Sequence, residues 1–239
     1  MSNTQAIQQA ALVVGGGRGL GRAVALELAK RGCQIVVAAR TQREIEQTAQ
    51  EIVTRHGGRA VSFQADATQP KQVAQLVEAA LKAFGRIDVL VNCAGEALIK
   101  PTVENTVEDW QRIIASNLTS VFLTCHAVMP HMIRQQSGHI INVASRVAKD
   151  GAPGVAAYTA AKAGVVGFSK ALALELKPHG VKVSAICPSP MNTPMRWAAT
   201  PNWDRSKVIE PERVAELIAW LVADPHTTLD EVYPLSVRL

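Results

Sequence analysis

Residues 11–21 of the chain read Ala11-Leu12-Val13-Val14-Gly15-Gly16-Gly17-Arg18-Gly19-Leu20-Gly21. An uninterrupted apolar run enters a cluster of glycines, and a helical pattern of apolar residues follows it. Glycines permit a tight turn and let backbone amides approach phosphate oxygens at the start of a helix. Such a turn between a strand and a helix predicts the phosphate-binding loop of a dinucleotide-binding sheet. The spacing Gly-x-x-x-Gly-x-Gly differs from the more common Gly-x-Gly-x-x-Gly.

Strand and helix patterns alternate through the rest of the chain. The predicted strands are apolar along their whole length, which indicates a sheet covered on both faces. Repeated strand–helix units indicate an α/β fold with a doubly wound, Rossmann-like parallel sheet and helices on both faces. No linker or internal repeat divides the sequence, so we expect a single domain over residues 1–239. The predicted strands are 11–15, 33–39, 60–64, 87–92, 140–144, 181–187 and 232–237, and the predicted helices are 19–31, 41–56 (opened by a Thr41/Glu44 capping box), 70–84, 106–116, 118–136, 155–177 and 211–223.

Composition excludes several classes of function. The net charge of +5 comes from 25 basic and 20 acidic residues, but no basic run indicates nucleic-acid binding. No apolar run approaches the roughly 20 residues that span a bilayer, and the first residues lack a secretion signal. We therefore expect a cytoplasmic protein with no membrane partner. The four cysteines have no paired spacing and the histidines no metal-like spacing, which predicts free thiols and no metal site.

A second pattern carries chemistry. Tyr158 and Lys162 stand one turn apart and share a face of the helix predicted at 155–177. A fixed positive charge favours phenolate and lowers the pKa of a phenol from about 10 toward neutral pH. Ser145 lies thirteen residues before Tyr158 and could hold a carbonyl oxygen at the same point. Together these residues outline a site for carbonyl reduction.

Taken in order, the motifs resemble those of the short-chain dehydrogenase/reductase superfamily over about residues 11–223. The family's Thr-Gly-x-x-x-Gly-x-Gly corresponds to residues 14–21, with Val14 in place of the threonine. Asp88 with residues 92–95 resembles the family's Asp…Asn-Asn-Ala-Gly segment, and Asn117 matches its helix asparagine. Residues 188–193 resemble the Pro-Gly…Thr segment, with Ser189 in place of the glycine.

The resemblance implies a nicotinamide dinucleotide cofactor and assigns four catalytic residues. Tyr158 would be the general acid/base, Lys162 would lower the phenol pKa and bond the nicotinamide ribose, and Ser145 would polarise the carbonyl. Asn117 would hold a water that links Lys162 to solvent, or would simply bond backbone at a helix junction. The residues assigned to the cofactor are Gly15, Gly17, Arg18, Gly19, Leu20, Gly21, Ala39, Arg40, Asp66, Ala67, Asn92, Ala94, Gly95, Tyr158, Lys162, Pro188 and Thr193.

The end of the second predicted strand bears on the choice between NAD(H) and NADP(H). An acidic residue there bonds the ribose 2′-hydroxyl in NAD-dependent Rossmann proteins. Ala39 occupies that place, Arg40 follows it, and Arg18 projects from the glycine loop. Two guanidinium groups could clamp a 2′-phosphate. The sequence therefore predicts NADP(H), with NAD(H) the alternative.

Three functions remain open at this stage. The leading one is an NADPH-dependent oxidoreductase that interconverts a ketone or 3-oxo compound and a secondary alcohol. A reductase of 3-oxoacyl thioesters, carried by acyl-carrier protein or CoA, is the alternative within enzymes. A noncatalytic NADP(H)-binding sensor or scaffold is the alternative from another class. By resemblance, the short segment at about 194–210 predicts an open substrate pocket, and the helices at 106–116 and 118–136 predict a homodimer or homotetramer.

Overall fold

The computed structural model describes residues 9–223 and 232–235. The strands in these ranges form one sheet in the order β3-β2-β1-β4-β5-β6-β7, and every neighbouring pair is parallel. The predicted Rossmann-like fold is thereby confirmed, while positions 236–237 of the predicted edge strand lie outside the described residues. The strands are β1 (Ala10–Val14), β2 (Gln34–Ala39), β3 (Ala60–Gln64), β4 (Val89–Asn92), β5 (Gly138–Val143), β6 (Val181–Pro188) and β7 (Val232–Leu235).

Helices cover both faces of the sheet, as the fully apolar strands predicted. The helices are α1 (Gly19–Lys30), α2 (Gln42–His56), α3 (Pro70–Phe84), α4 (Val107–Ile114), α5 (Ser120–Gln135), α6 (Val147–Asp150), α7 (Ala156–Leu176), α8 (Pro194–Ala199) and α9 (Pro211–Ala223). Leu12 and Val14 of β1 pack into a core with α3, α5 and α7 on one face. Ala11 and Val13 pack into a second core with α1, α2 and α9 on the other face.

A π-helical turn, Ala115–Thr119, joins α4 and α5 into one continuous helix, Val107–Gln135. By length and composition this helix could cross a membrane, with a mean hydropathy of 1.4 in its most apolar stretch. Core helices of globular proteins can be equally long and apolar, so these two properties are weak evidence for a membrane span. Val121, Cys125 and Val128 on one side of α5 are fully or almost fully buried in the core beneath the sheet. Packing on the sheet therefore accounts for the apolar side of this helix.

The structure corrects the predicted start of α2. Thr41 occupies the N-cap, but its side chain makes no cap hydrogen bond, so the capping box with Glu44 is wrong. The Glu44 carboxylate lies instead toward the glycine loop, where its Oε1 is 3.7 Å from Nη1 of Arg18. The carboxylate that the spacing assigned to the helix cap therefore lies beside Arg18.

The segment predicted as a short substrate loop is partly helical. It contains α8 and a 3₁₀ turn at Arg205–Lys207. Thr193 caps α8 by accepting a hydrogen bond from the backbone N–H of Arg196. A short capped helix therefore stands beside the carboxyl end of β6.

Candidate active site

The strand order places a crevice between β1 and β4. The chain moves outward from β1 to β2 and β3, and then returns to the other side of β1 with β4. Open α/β sheets bind ligands at such a switch point, beyond the carboxyl ends of the strands. A continuous cavity lies there, and its lining includes most of the site residues predicted from sequence. These are Gly15, Gly17, Arg18, Gly19, Leu20, Gly21, Ala39, Arg40, Asp66, Ala67, Ala94, Gly95, Asn117, Tyr158, Lys162 and Thr193.

The glycine loop fits a pyrophosphate group. Gly15 has a φ of +83°, and a Cβ added to it would lie 2.6 Å from the backbone nitrogen of Ala94. A Cβ on Gly21 would collide with the carbonyl oxygen of Gly15. The backbone segments therefore approach too closely for side chains. Arg18 at the N-cap of α1 makes no side-chain cap hydrogen bond, which leaves the first amides of this helix available to an anion.

The end of β2 has the composition predicted for a 2′-phosphate site, with one addition. Ala39 and Arg40 line the cavity, and the side chain of Arg18 is 61% exposed beside them. Glu44 lines the same region, which sequence analysis missed because it assigned this residue to a helix cap. A carboxylate therefore does lie close to Arg18, supplied by α2 instead of by the end of β2.

Asp66 follows β3 and is held in a local turn. Its Oδ1 accepts hydrogen bonds from the backbone N–H and the hydroxyl of Thr68, at 2.9 and 2.8 Å. Its own N–H donates to Oε1 of Gln72 at 2.8 Å. Both Asp66 and Ala67 line the cavity on the side of β3. This hydrogen-bonded turn forms the wall at that end of the cavity.

Tyr158 and Lys162 lie on one face of α7 at the other end of the cavity. The Nζ of Lys162 is 5.7 Å from the centroid of the Tyr158 ring, and it donates a 2.8 Å hydrogen bond to the carbonyl of Val143. Lys162 is 4% exposed, and burial lowers its pKa to about 8. Ser145 lies two residues after the end of β5 and is not among the residues that line this cavity. Its Oγ accepts a 3.4 Å hydrogen bond from the backbone N–H of Val147.

Burial raises the pKa of the Tyr158 phenol, while hydrogen bonding by Ser145 and the positive charge of Arg196 lower it. The net direction is opposite to the one that the Tyr/Lys spacing predicts. Desolvation penalises phenolate, and here it outweighs the nearby donors and charge. The tyrosine consequently holds its proton, which is the form that can donate one.

Asn117 is fully buried in the π-helical turn, and its side chain ties two segments together. Its Nδ2 donates to the carbonyls of Glu96 and Ile113, at 2.9 and 3.0 Å, and its Oδ1 accepts from the N–H of Glu96 at 3.3 Å. These contacts match the alternative that Asn117 bonds backbone at a helix junction. The predicted water relay to Lys162 stays a prediction.

Asn92 and Pro188 were assigned to the cofactor, but neither is among the residues that line the cavity. Asn92 is 3% exposed and bonds Asn142 at 2.9 Å and the Thr124 hydroxyl at 2.8 Å. Asn142 in turn bonds the hydroxyl of Ser169 at 2.9 Å. This buried network joins β4, β5, α5 and α7 beneath the site, so Asn92 holds the sheet in place.

Arg196 is a second charged residue that sequence analysis missed. It lies on α8, one turn after Thr193, and its charge acts on the Tyr158 phenol. An arginine on a short helix after the last site motif carries no spacing signal of its own. Among the described residues, no group of three or more His, Cys, Asp or Glu side chains could hold a metal ion.

The comparisons with known proteins show that the chain belongs to the short-chain dehydrogenase family of oxidoreductases. The family model described as short chain dehydrogenase matches residues 9–203. This confirms the family that the motifs resembled.

Relatives of this chain include several named reductases and dehydrogenases. It is 41% identical over 227 residues to a 3-oxoacyl-[acyl-carrier-protein] reductase of Synechocystis sp., covering 91% of this chain and 90% of that protein. It is 36% identical over 205 residues to a D-beta-hydroxybutyrate dehydrogenase of Rhizobium meliloti, covering 85% and 80%. The crystal structure of a single-residue variant of actinorhodin polyketide ketoreductase with NADPH superposes with a TM-score of 0.89 and 30% identity, covering 96% of each chain.

Proposed function

We propose that this protein is an NADPH-dependent oxidoreductase that interconverts a ketone or 3-oxo compound and a secondary alcohol. The observation that carries the proposal is the presence of Tyr158 and Lys162 in the same cavity as the glycine loop. One end of this cavity suits a pyrophosphate, and the other holds a protonated phenol beside a buried ammonium. Proton donation and dinucleotide binding are thus available in one continuous space.

Three residues of the chain would each have a separate role in carbonyl reduction. A nicotinamide dinucleotide bound in the cavity would supply the hydride to the carbonyl carbon. Tyr158 would donate its phenol proton to the carbonyl oxygen and be reprotonated from solvent, and Ser145 would hold that oxygen by a hydrogen bond. Lys162 would stabilise the phenolate left after proton transfer, because its ammonium lies 5.7 Å from the ring centroid.

The preference for NADPH rests on Arg18 and Arg40. Both line the cavity beside Ala39, where a carboxylate would otherwise select NAD(H). The preference is measured as the ratio of the Kd values for NADPH and NADH, and tighter binding of NADH would refute it. Arg40→Asp is expected to reverse the ratio, because it removes a phosphate partner and adds a repelling charge.

Reduction of a 3-oxoacyl thioester is the second candidate. It is favoured by the 41% identity to a 3-oxoacyl-[acyl-carrier-protein] reductase. NADPH consumption with ketones, aldehydes, 3-oxo esters and 3-oxoacyl thioesters separates the two, since a rate confined to thioesters would favour this candidate. No turnover of any of them would favour the noncatalytic NADP(H)-binding sensor.

Tyr158→Phe tests the mechanism. The variant keeps the ring and loses the proton, so kcat is expected to fall by about 100- to 10,000-fold while NADPH binding is retained. Undiminished carbonyl reduction by Tyr158→Phe would refute the assignment.

We further propose a cytoplasmic homodimer or homotetramer assembled through α4 and α5. On these helices Val107, Trp110 and Phe122 are between 45% and 66% exposed. Exposed apolar side chains on one long helix are consistent with a contact surface. Sedimentation velocity of the purified protein tests the assembly, and a monomer at micromolar concentration would contradict it.

A further inference from the structure

Four charged side chains form a connected network beside the segment that follows Gly95. Nζ of Lys100 lies 2.9 Å from Oδ2 of Asp109, and Oδ1 of Asp109 lies 3.1 Å from Nη2 of Arg112. The other terminal nitrogen of Arg112, Nη1, pairs with the Glu96 carboxylate. Isolated ion pairs at the surface contribute little to stability, whereas a network of several charges holds its side chains in one geometry. We call these four residues the ion network.

The ion network attaches both ends of segment 96–100 to one turn of α4. The segment carries the first and last members of the network, and the two middle members stand three residues apart on the helix. The Thr106 hydroxyl caps this helix by accepting a 3.1 Å hydrogen bond from the N–H of Asp109. The backbone N–H of Lys100 donates to the carbonyl of Gly154 at 2.7 Å. The segment is therefore held by its charges and by its backbone.

The start of this segment adjoins the wall of the cavity beside Lys162. Gly95 lines the cavity, and a Cβ added to it would lie 2.6 Å from Oδ1 of Asn117 and 3.6 Å from Nζ of Lys162. The backbone of Glu96 bonds the Asn117 side chain through its N–H and its carbonyl, at 3.3 and 2.9 Å. A displacement of Glu96 would therefore move the backbone that faces Lys162.

The middle of the segment shares its packing with the ring of Tyr158. Leu98 and Tyr158 both pack against a small buried cluster, which consists of Ile113, Ala157 and Ala161. Ile113 is fully buried, and it directly follows the arginine of the ion network on α4. The segment and the helix that the ion network joins thus both contribute to the packing around the phenol ring.

We propose that Arg112 is a positioning residue, whose ion pair with Glu96 holds the wall at the catalytic end of the cavity. This inference rests on the proposed function, because it assigns a role in the same reaction. Neither side chain is among those that line the cavity, so both act through segment 96–100 and not by contact with the reacting atoms. A displacement of about 1 Å at such a site can cost roughly 100-fold in rate, so the ion pair affects kcat.

The experiment measures kcat and KM for a reduced ketone in the wild type, Glu96→Gln, Arg112→Gln and the double variant, well below the Tm of each. We expect kcat to fall by about 10- to 100-fold in each single variant, with KM within about threefold. Because both substitutions break the same ion pair, the double variant should lose no more than about twofold beyond the larger single loss. Arg112→Lys keeps the charge and should recover part of kcat. Arg31→Gln is the matched control, since it breaks a 3.0 Å ion pair with Glu27 at the end of α1 and should keep kcat within about twofold.

Nuclear magnetic resonance separates this inference from the proposed function. The chain has two tyrosines, so in a Tyr233→Phe background the Cζ signal of ¹³C-labelled tyrosine reports Tyr158 alone, independently of turnover. Burial raises the pKa of this phenol. If the wall loosens in Glu96→Gln, water reaches the ring, and the pKa of Tyr158 should fall toward its ordinary value of about 10.

The outcomes of the two measurements differ. A lower pKa of Tyr158 in both Glu96→Gln and Arg112→Gln, but not in Arg31→Gln, supports the inference even if no carbonyl is reduced, in which case the proposed function alone fails. An unchanged pKa together with an unchanged kcat overturns the inference. A higher KM at unchanged kcat also overturns it, because Glu96 would then contact the substrate. A loss in Arg112→Gln that Glu96→Gln does not share overturns it as well, since Arg112 would then act outside this ion pair.

Discussion

Glu44→Gln is expected to tighten the binding of NADPH. The Glu44 carboxylate lies 3.7 Å from Arg18. With NADPH bound as proposed, this carboxylate would compete with the 2′-phosphate for that guanidinium and would repel the phosphate charge. NADH lacks the 2′-phosphate, so its affinity should change much less. The Glu44→Gln substitution should therefore shift the preference between NADPH and NADH as well as the affinity for NADPH.

The size of the effect follows from the exposure of the pair. Because the Arg18 side chain is 61% exposed, the interaction is close to its value in water, about 1 kcal/mol for two unit charges at 4 Å. A phosphate with a charge of about −1.5 to −2 raises the repulsion to about 1–2 kcal/mol. That corresponds to roughly 5- to 30-fold in the Kd of NADPH.

Fluorescence titration of NADPH and NADH measures both affinities, with Glu46→Gln as the matched control. Glu46 lies on the same helix and its loss changes the net charge equally, but it is exposed and is not among the residues that line the cavity. The gain should shrink as salt is raised, since exposed charges are screened. Equal gains in affinity for NADPH and NADH, or an equal gain in Glu46→Gln, would show that Glu44 does not act on a 2′-phosphate.

Three further predictions concern stability and the phosphate loop. Asn92→Ala should lower the free energy of unfolding by about 1–3 kcal/mol, because the buried side chains of Asn142 and Thr124 lose their hydrogen bonds to it. The Kd of NADPH should stay within about threefold of the wild-type value. A selective loss of NADPH binding at unchanged stability would contradict the structural role of Asn92. Gly21→Ala should abolish measurable NADPH binding, since its Cβ collides with the Gly15 carbonyl; tight binding by this variant would show that the loop is not a phosphate site. His139 is buried and bonds the Ser184 hydroxyl, and burial lowers its pKa from 6.5 to about 4. Between pH 6.5 and pH 4 the His139 imidazole is protonated in the unfolded chain but not in the folded one. The free energy of unfolding should therefore fall by about 3 kcal/mol as the pH drops from 6.5 to 4. Urea unfolding should lose most of this pH dependence in His139→Gln, and an unchanged slope would contradict the assignment.

Local sequence patterns were enough to predict most of the fold. The apolar run before Gly15 and the fully apolar strands predicted a doubly wound sheet, because each signal depends on neighbours in sequence. The helix 155–177 brought Tyr158 and Lys162 to one face for the same reason. Where the sequence-based interpretation was wrong, contacts between distant segments decided the outcome.

Three residues illustrate that limit. Glu44 matched the spacing of a capping box, but its carboxylate lies beside Arg18, which is 26 residues earlier in the chain. The pKa of Tyr158 depends on burial by the whole site, which no i, i+4 spacing can report. Arg196 was identified only through the effect of its charge on the Tyr158 phenol.

The residues that contact β1 and the glycine loop lie far along the chain, and this has a consequence for folding during synthesis. The N–H of Ala10 bonds the Asp88 carboxylate, Gly15 packs on Ala94, and Gly19 would contact Thr193 through any added Cβ. The loop therefore acquires its neighbours in stages as the chain leaves the ribosome, and the last of them comes late. Contacts of such long sequence separation slow folding and leave strand edges exposed in the meantime. A nascent chain released before Thr193 would carry the complete glycine loop and still lack one wall of its binding site.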